Sequence, residues 1–218
     1  MNAPVVRITV LVDNRAGEGL TAEHGLALWV EAGGRRLLFD TGAGQALPPN
    51  AAALGLDLTR TQTLVLSHGH WDHTGGIAWL RRQAPHLEVF AHPGVVQPRY
   101  SIRGGSARAI PMPGEAMAAL DALEPARVHW VQAPLELAPG VGLTGPIPRE
   151  TDFEDPGGPF YLDPEGRRPA PIEDELALWI RTEKGLVVCV GCAHAGLVNT
   201  LRQVGRLHPG EGVRAVMG

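Results

Sequence analysis

The chain has 218 residues, 44% hydrophobic and 19% charged, with a formal net charge of −4. That length fits one folded unit with a substantial core. The mildly acidic balance gives no basic field to attract a polyanion, so nucleic acid is not expected as a partner. No apolar run is long enough to span a bilayer, and residues 1–13 lack the basic start and small-residue cleavage site of a leader. The expectation is a cytoplasmic protein with no membrane association. Two cysteines, Cys189 and Cys192, are too few for a disulfide framework.

In chain order, Val6, Ile8, Val10 and Val12 alternate on one face and predict a half-buried strand. Two β-rich runs flank Gly33 and Gly34 as in a hairpin, and the second stops at Asp40. A short Ala-rich helix is expected near residues 50–54. The run "TQTLVLSH" then reads as a strand too continuously apolar for a sheet edge. Ile77, Leu80 and Ala84 recur at helical spacing until Pro85 stops that helix. "LEVFAHP" is another strand. Residues 93–127, rich in Gly, Pro and Arg, read as an insertion with one helix at "GEAMAALDAL".

Short strands are expected near 128–131 and 141–144. Residues 145–171 form a long loop rich in Pro, Gly and acids, a length that usually signals function. "ELALWIRTEKGLVVCVG" predicts a hairpin turning at Lys184 and Gly185, "HAGLVNTLRQVGRL" an amphipathic helix, and "GVRAVMG" a last strand. Residues 1–218 therefore read as one α/β (α+β) domain of two face-to-face sheets with helices outside. The loops at the strand ends would share one edge.

The stretch "LVLSHGHWDHTGGI", residues 64–77, holds His68, His70, Asp72 and His73 between a strand and a Gly-Gly pair. It uses a third of the chain's nine histidines. Neutral imidazoles of His68 and His70, about 2.0–2.1 Å from a common ion, suit Zn²⁺. Asp72 and His73 point differently and would serve a second ion roughly 3.5–4 Å away. The plain alternative, ordinary hydrogen-bonded histidines, fits this register poorly.

Other signals are weaker. Cys189 and Cys192 have the spacing of a redox pair, but Cys189 falls in an apolar run and reads as a buried strand residue. His24 and His92 either line the active edge or are structural. Arg149, in the long loop, suits a bidentate grip on phosphate or carboxylate and so points to an anionic small-molecule substrate. Arg99 and Arg103 read as solvated guanidinium groups. Phe153, Phe160 and Tyr161 either close over a ligand or anchor the loop. No Gly-rich loop has phosphate-cradle spacing, and Ser67 is the one serine near this chemistry, which disfavours a serine triad.

The pattern H-x-H-x-D-H after a strand resembles the metallo-β-lactamase superfamily, which implies an αββα sandwich with a dinuclear site on one edge. "LVDN", "EHGLALWVE", "LFDTG", "IPRETDFE", "EDELAL" and "GLVVCVGCAHAGLVN" extend the resemblance over nearly the whole chain. Together they look like the branch named for 7,8-dihydropterin-6-methyl-4-(ribofuranosyl)aminobenzene 5′-phosphate synthase. The resemblance implies that His68, His70 and His194 bind one metal and that Asp72 and His73 bind the other. Asp40 would orient a histidine ligand. Many superfamily members carry a metal-bridging Asp where this chain has Cys192, whose thiolate could ligate or bridge, or whose thiol could be structural. The branch continues beyond the equivalent of Gly218 with a further His ligand, so one firm ion and one labile ion are expected.

The expected activity is hydrolysis by metal-activated hydroxide, with zinc, manganese or iron as the metal and Asp72 as proton acceptor. A phosphoester or cyclic phosphate is the first choice of substrate. A lactone or thioester hydrolase and a non-catalytic metal-binding module are the alternatives. The oligomeric state, homo-oligomers included, is open.

Overall fold

A computed structural model describes residues 6–154 and 158–218. Residues 1–5, part of the stretch read for a leader, and residues 155–157 of the long loop lie outside it. The strands in chain order are β1 (Arg7–Val12), β2 (Ala27–Ala32), β3 (Arg35–Phe39), β4 (Thr63–Val65), β5 (Glu88–Ala91), β6 (Tyr100–Arg103) and β7 (Ser106–Ala109). They continue as β8 (Val128–Trp130), β9 (Leu135–Ala138), β10 (Val141–Leu143), β11 (Phe160–Tyr161), β12 (Leu178–Thr182), β13 (Gly185–Cys189) and β14 (Val213–Met217). The helices are α1 (Leu47–Ala53), α2 (Trp71–Thr74), α3 (Ile77–Gln83), α4 (Gly114–Asp121) and α5 (Leu197–Leu207).

One sheet has the order β1-β2-β3-β4-β5-β8 and the other β14-β13-β12-β10-β9. Strand alternation explains the layering. In β2, Leu28 and Val30 face the second sheet, where they pack with Val141, Leu143, Leu178 and Ile180. Their neighbours Ala27 and Trp29 face the other way and pack with Leu47, Ile77, Leu80 and Ala116 of α1, α3 and α4. Leu186 and Val188 of β13 face away from the first sheet and meet Val204 of α5. Both sheets are thus apolar on both faces, as covered sheets must be. Each fully buried Leu or Phe contributes about 1.5–3 kcal/mol. The result is the expected αββα layering.

The strands β3, β4, β5 and β8 run parallel. Ligand sites in parallel sheets lie beyond the carboxyl ends of such strands. β4 is central there, so its exit loop, which carries residues 67–70, lies over the middle of the sheet edge.

Two features differ from the sequence reading. The insertion 93–127 contains the hairpin β6–β7, which joins β11 in a third small sheet. The long loop is tied down: Glu154 accepts hydrogen bonds from the Val198 and Asn199 amides at the start of α5, while Asn199 Oδ1 accepts from the Glu150 and Thr151 amides. No helix among the described residues is long and apolar enough to cross a membrane.

Candidate metal centre

The β4 exit loop is shaped by close backbone approaches. Gly69 packs so tightly on Val95 that a Cβ would strike its carbonyl oxygen. A Cβ on Gly191 would likewise strike Ser67 Oγ, so the two strand-end loops meet only because that residue has no side chain.

Asp40, at the end of β3, is wholly buried and takes the left-handed backbone, with φ 60°. A non-glycine residue holds that conformation only where its surroundings enforce it. Here Oδ1 accepts from the Ser67 amide at 2.7 Å, and Oδ2 accepts from Ser67 Oγ at 2.6 Å and from His73 Nδ1 at 2.7 Å. Burial opposes charge on His73, but the Asp40 carboxylate outweighs it and holds the ring well above its ordinary pKa. The Nδ1 proton is pinned on Asp40, and Nε2 is aimed at Cys192 Sγ, 3.2 Å away.

His68, His70 and His194 behave in the opposite way. Burial, followed by the surrounding positive groups, holds His68 well below its ordinary pKa. For the same reasons His70 falls to about 2 and His194 to about 3. All three rings are neutral at pH 7 and offer lone pairs. His68 Nε2 is 2.9 Å from His70 Nδ1, and the His194 ring lies 4.8 Å from that of His68 and 5.0 Å from that of His70. His194 Nε2 is buried with no hydrogen-bond partner among the described residues. A buried ring nitrogen without a partner costs about 1–3 kcal/mol, which a cation would offset.

Among the described residues, two three-residue groups emerge, His68 with His70 and His194, and His68 with His73 and Cys192. In each, the donor atoms all lie within 4.8 Å of one another. Asp72 is outside both, although its Oδ2 is 3.6 Å from His73 Nε2 and 3.3 Å from His24 Nε2. Imidazole and thiolate donors of this kind suit zinc.

The sequence profile of the metallo-β-lactamase superfamily matches residues 20–210. The chain belongs to that superfamily. The metallo-β-lactamase fold implies metal ions, commonly zinc, and the two donor groups could hold them. The chain is 29% identical, over 98% of its length and 76% of the relative's, to the 7,8-dihydropterin-6-methyl-4-(β-D-ribofuranosyl)-aminobenzene-5′-phosphate synthase of Methanocaldococcus jannaschii. It is 27% identical to an uncharacterized protein of the same organism, over 94% of this chain and 77% of the other. A solved metal-dependent hydrolase of the β-lactamase superfamily aligns with a TM-score of 0.76 at 28% identity, covering 97% of this chain and 75% of its own.

Within this metallo-β-lactamase edge, the remaining candidates fall in different places. His24 lines the cleft above the histidines, its Nδ1 bonded to Asn14. His92 does not reach the cleft; its Nδ1 accepts from the Gly94 amide and caps a single turn. Arg149 is also elsewhere. Its guanidinium donates to the carbonyls of His194, Pro171 and Ile172, so it ties the long loop to the His194 turn and has no free fork for a substrate. Phe160 packs on the rings of His70 and His194 at 5.2 and 5.3 Å, whereas Phe153 is 68% exposed. Burial lifts the Cys189 thiol to about 12, which removes the thiolate a redox pair needs.

Two supporting residues, Glu175 and Asp174, were not singled out by sequence reasoning. Glu175, buried, accepts from the amides of His194 and Ala195 at 2.6 Å and fixes the turn that presents His194. Asp174 accepts from the Gly69 amide at 2.8 Å, between His68 and His70, and pairs with Arg99 at 2.5 Å. Arg99 is 2% exposed, which corrects its reading as a solvated group. The acidic pair preceding β12 was the available signal: two adjacent carboxylates beside an apolar strand need buried donors.

Proposed function

We propose that the protein is a metal-dependent hydrolase acting on an anionic small molecule, a phosphoester or cyclic phosphate. The carrying observation is the convergence of neutral histidines, a thiol and a carboxylate at the base of an open cleft of about 460 Å³. His68 Nδ1 is 2.9 Å from Ser67 Oγ, which leaves Nε2 for a single ion. His68, His70 and His194 would hold the first ion, and His73, Cys192 and Asp72 the second. Zinc is the first choice, with manganese or iron as substitutes.

When bound there, the metal supplies Lewis acidity and makes water acidic enough to lose a proton near neutrality. The chain's own side chains orient and relay. Asp40 fixes the His73 tautomer through Nδ1. Asp72 accepts the proton at a carboxylate oxygen, and His24 Nε2, 3.3 Å from Asp72 Oδ2 and largely exposed, passes it to solvent. Phe160 shields the His70 and His194 rings from water. The preference for a phosphorus centre draws on the Methanocaldococcus relative, whose name is that of a 5′-phosphate synthase.

Protein purified without chelator should contain metal and should hydrolyse a p-nitrophenyl phosphodiester in preference to a lactone. His68→Ala should lose both metal and turnover. A lactone preference would favour the lactone or thioester reading. Metal-replete protein inert on both substrates would overturn the hydrolase reading in favour of a binding module.

A further inference from the structure

The hairpin β6–β7 forms the wall of the cleft facing the histidines, and its composition is unusual for a wall. Its strands pair antiparallel with Ser101 opposite Arg108 and Arg103 opposite Ser106. Because side chains alternate along a strand, these four share one face, and all four line the cleft. The intervening Ile102 and Ala107 are opposite each other on the other face. The wall presented to a ligand is therefore two guanidinium groups and two hydroxyls.

Arg103 and Arg108 occupy adjacent cross-strand pairs, a diagonal spacing of about 7–8 Å between Cα atoms that long side chains close readily. Neither guanidinium has a hydrogen-bond or ion-pair partner among the described residues. The Arg108 guanidinium is steered inward by the Trp71 ring, 5.4 Å from its centroid. Among the described residues lining the cleft, Asp72 is the one carboxylate. Two unpaired like charges side by side repel, and an anion between them removes that cost while accepting two forked sets of N–H bonds.

We propose that Arg103 and Arg108, with Ser101 and Ser106, bind a terminal phosphate-type dianion on the substrate, distinct from the group that reacts over the histidines. The proposal rests on the metal-dependent hydrolase reading for the position of the reacting end. It moves the anion grip from Arg149 to the hairpin, and it restricts the substrate class to molecules with two anionic centres, one reacting and one held.

The test is calorimetric binding to the metal-loaded full chain. The probes are α,ω-alkanediphosphonates of three to six carbons and alkylphosphonates of matched length, none of which can be hydrolysed at the P–C bond. At one chain length or more, the diphosphonate should bind about tenfold tighter or better than its monophosphonate, the scale of a charge-assisted, bidentate contact. The Arg103→Ala/Arg108→Ala double variant should erase that gain with metal content unchanged. Because these side chains are exposed, the variant is expected to fold, which circular dichroism checks. Absence of a gain at every length, or a gain that survives in the double variant, would overturn the proposal. Failure of the hydrolase reading is separately visible, since it shows in metal content and turnover of His68→Ala and not in this difference between probes.

Discussion

Asp40 Oδ2 lies 2.7 Å from His73 Nδ1, with both side chains buried, and the same carboxylate also receives the Ser67 amide and hydroxyl. One residue in a left-handed backbone conformation therefore joins the ends of β3 and β4 to a metal-ligand candidate. Asp40→Ala should leave two buried donors, the Ser67 amide and His73 Nδ1, without their acceptor, at about 1–3 kcal/mol each when isolated. Metal affinity should fall about 10–100-fold, the scale for losing a ligand's orienting partner. Urea denaturation and a competitive zinc titration measure the two effects; unchanged affinity would remove Asp40 from the centre.

Cys192→Ser should remove one ion and leave the other, because the His68, His70 and His194 group does not use the thiol. In the cobalt-substituted protein, the near-ultraviolet band of a thiolate–cobalt bond should vanish in this variant. Retention of two ions and of that band would show that Cys192 is not a ligand.

Asp174 compensates the buried Arg99 charge while holding the Gly69 amide. Asp174→Ala strands that charge and should cost about 3–5 kcal/mol. The Arg99→Met/Asp174→Ala double variant removes the stranded charge and should be more stable than Asp174→Ala alone. Equal or lower stability of the double variant, by urea denaturation, would mean that the pair is not what holds this junction.

Glu175→Ala should destabilise the protein by about 1–3 kcal/mol or more, since two buried amides lose their acceptor. Zinc affinity should fall with it as the turn carrying His194 loosens. Glu175→Gln, which keeps one acceptor oxygen, should lie between the variant and the native chain in both measurements.

Much of the fold was legible because its signals are local. The alternation in β1, the Gly33–Gly34 hairpin and the run before His68 each declare a strand within a few residues, and α5 declares itself by its apolar stripe. The β6–β7 hairpin escaped because its polar face and Ala-rich reverse lack an apolar alternation. The histidines of the exit loop were legible for a similar reason, being crowded into one motif, and His194 followed from the resemblance of its surroundings. Arg99 was misread because its partner, Asp174, is 75 residues away and no local pattern announces the pair. Arg149 had the right chemistry for a substrate grip, but three backbone carbonyls, invisible in sequence, occupy its fork.

The central claim is that His68, His70 and His194, drawn from two strand ends more than a hundred residues apart, take one cation between them. X-ray diffraction from crystals of protein purified without chelator, recorded above and below the zinc absorption edge, tests this most directly. The account predicts an anomalous peak within coordination distance of all three imidazoles, with a second near His73 and Cys192. Metal-replete crystals with no peak among the three rings, or with His194 turned away from the other two, would contradict it.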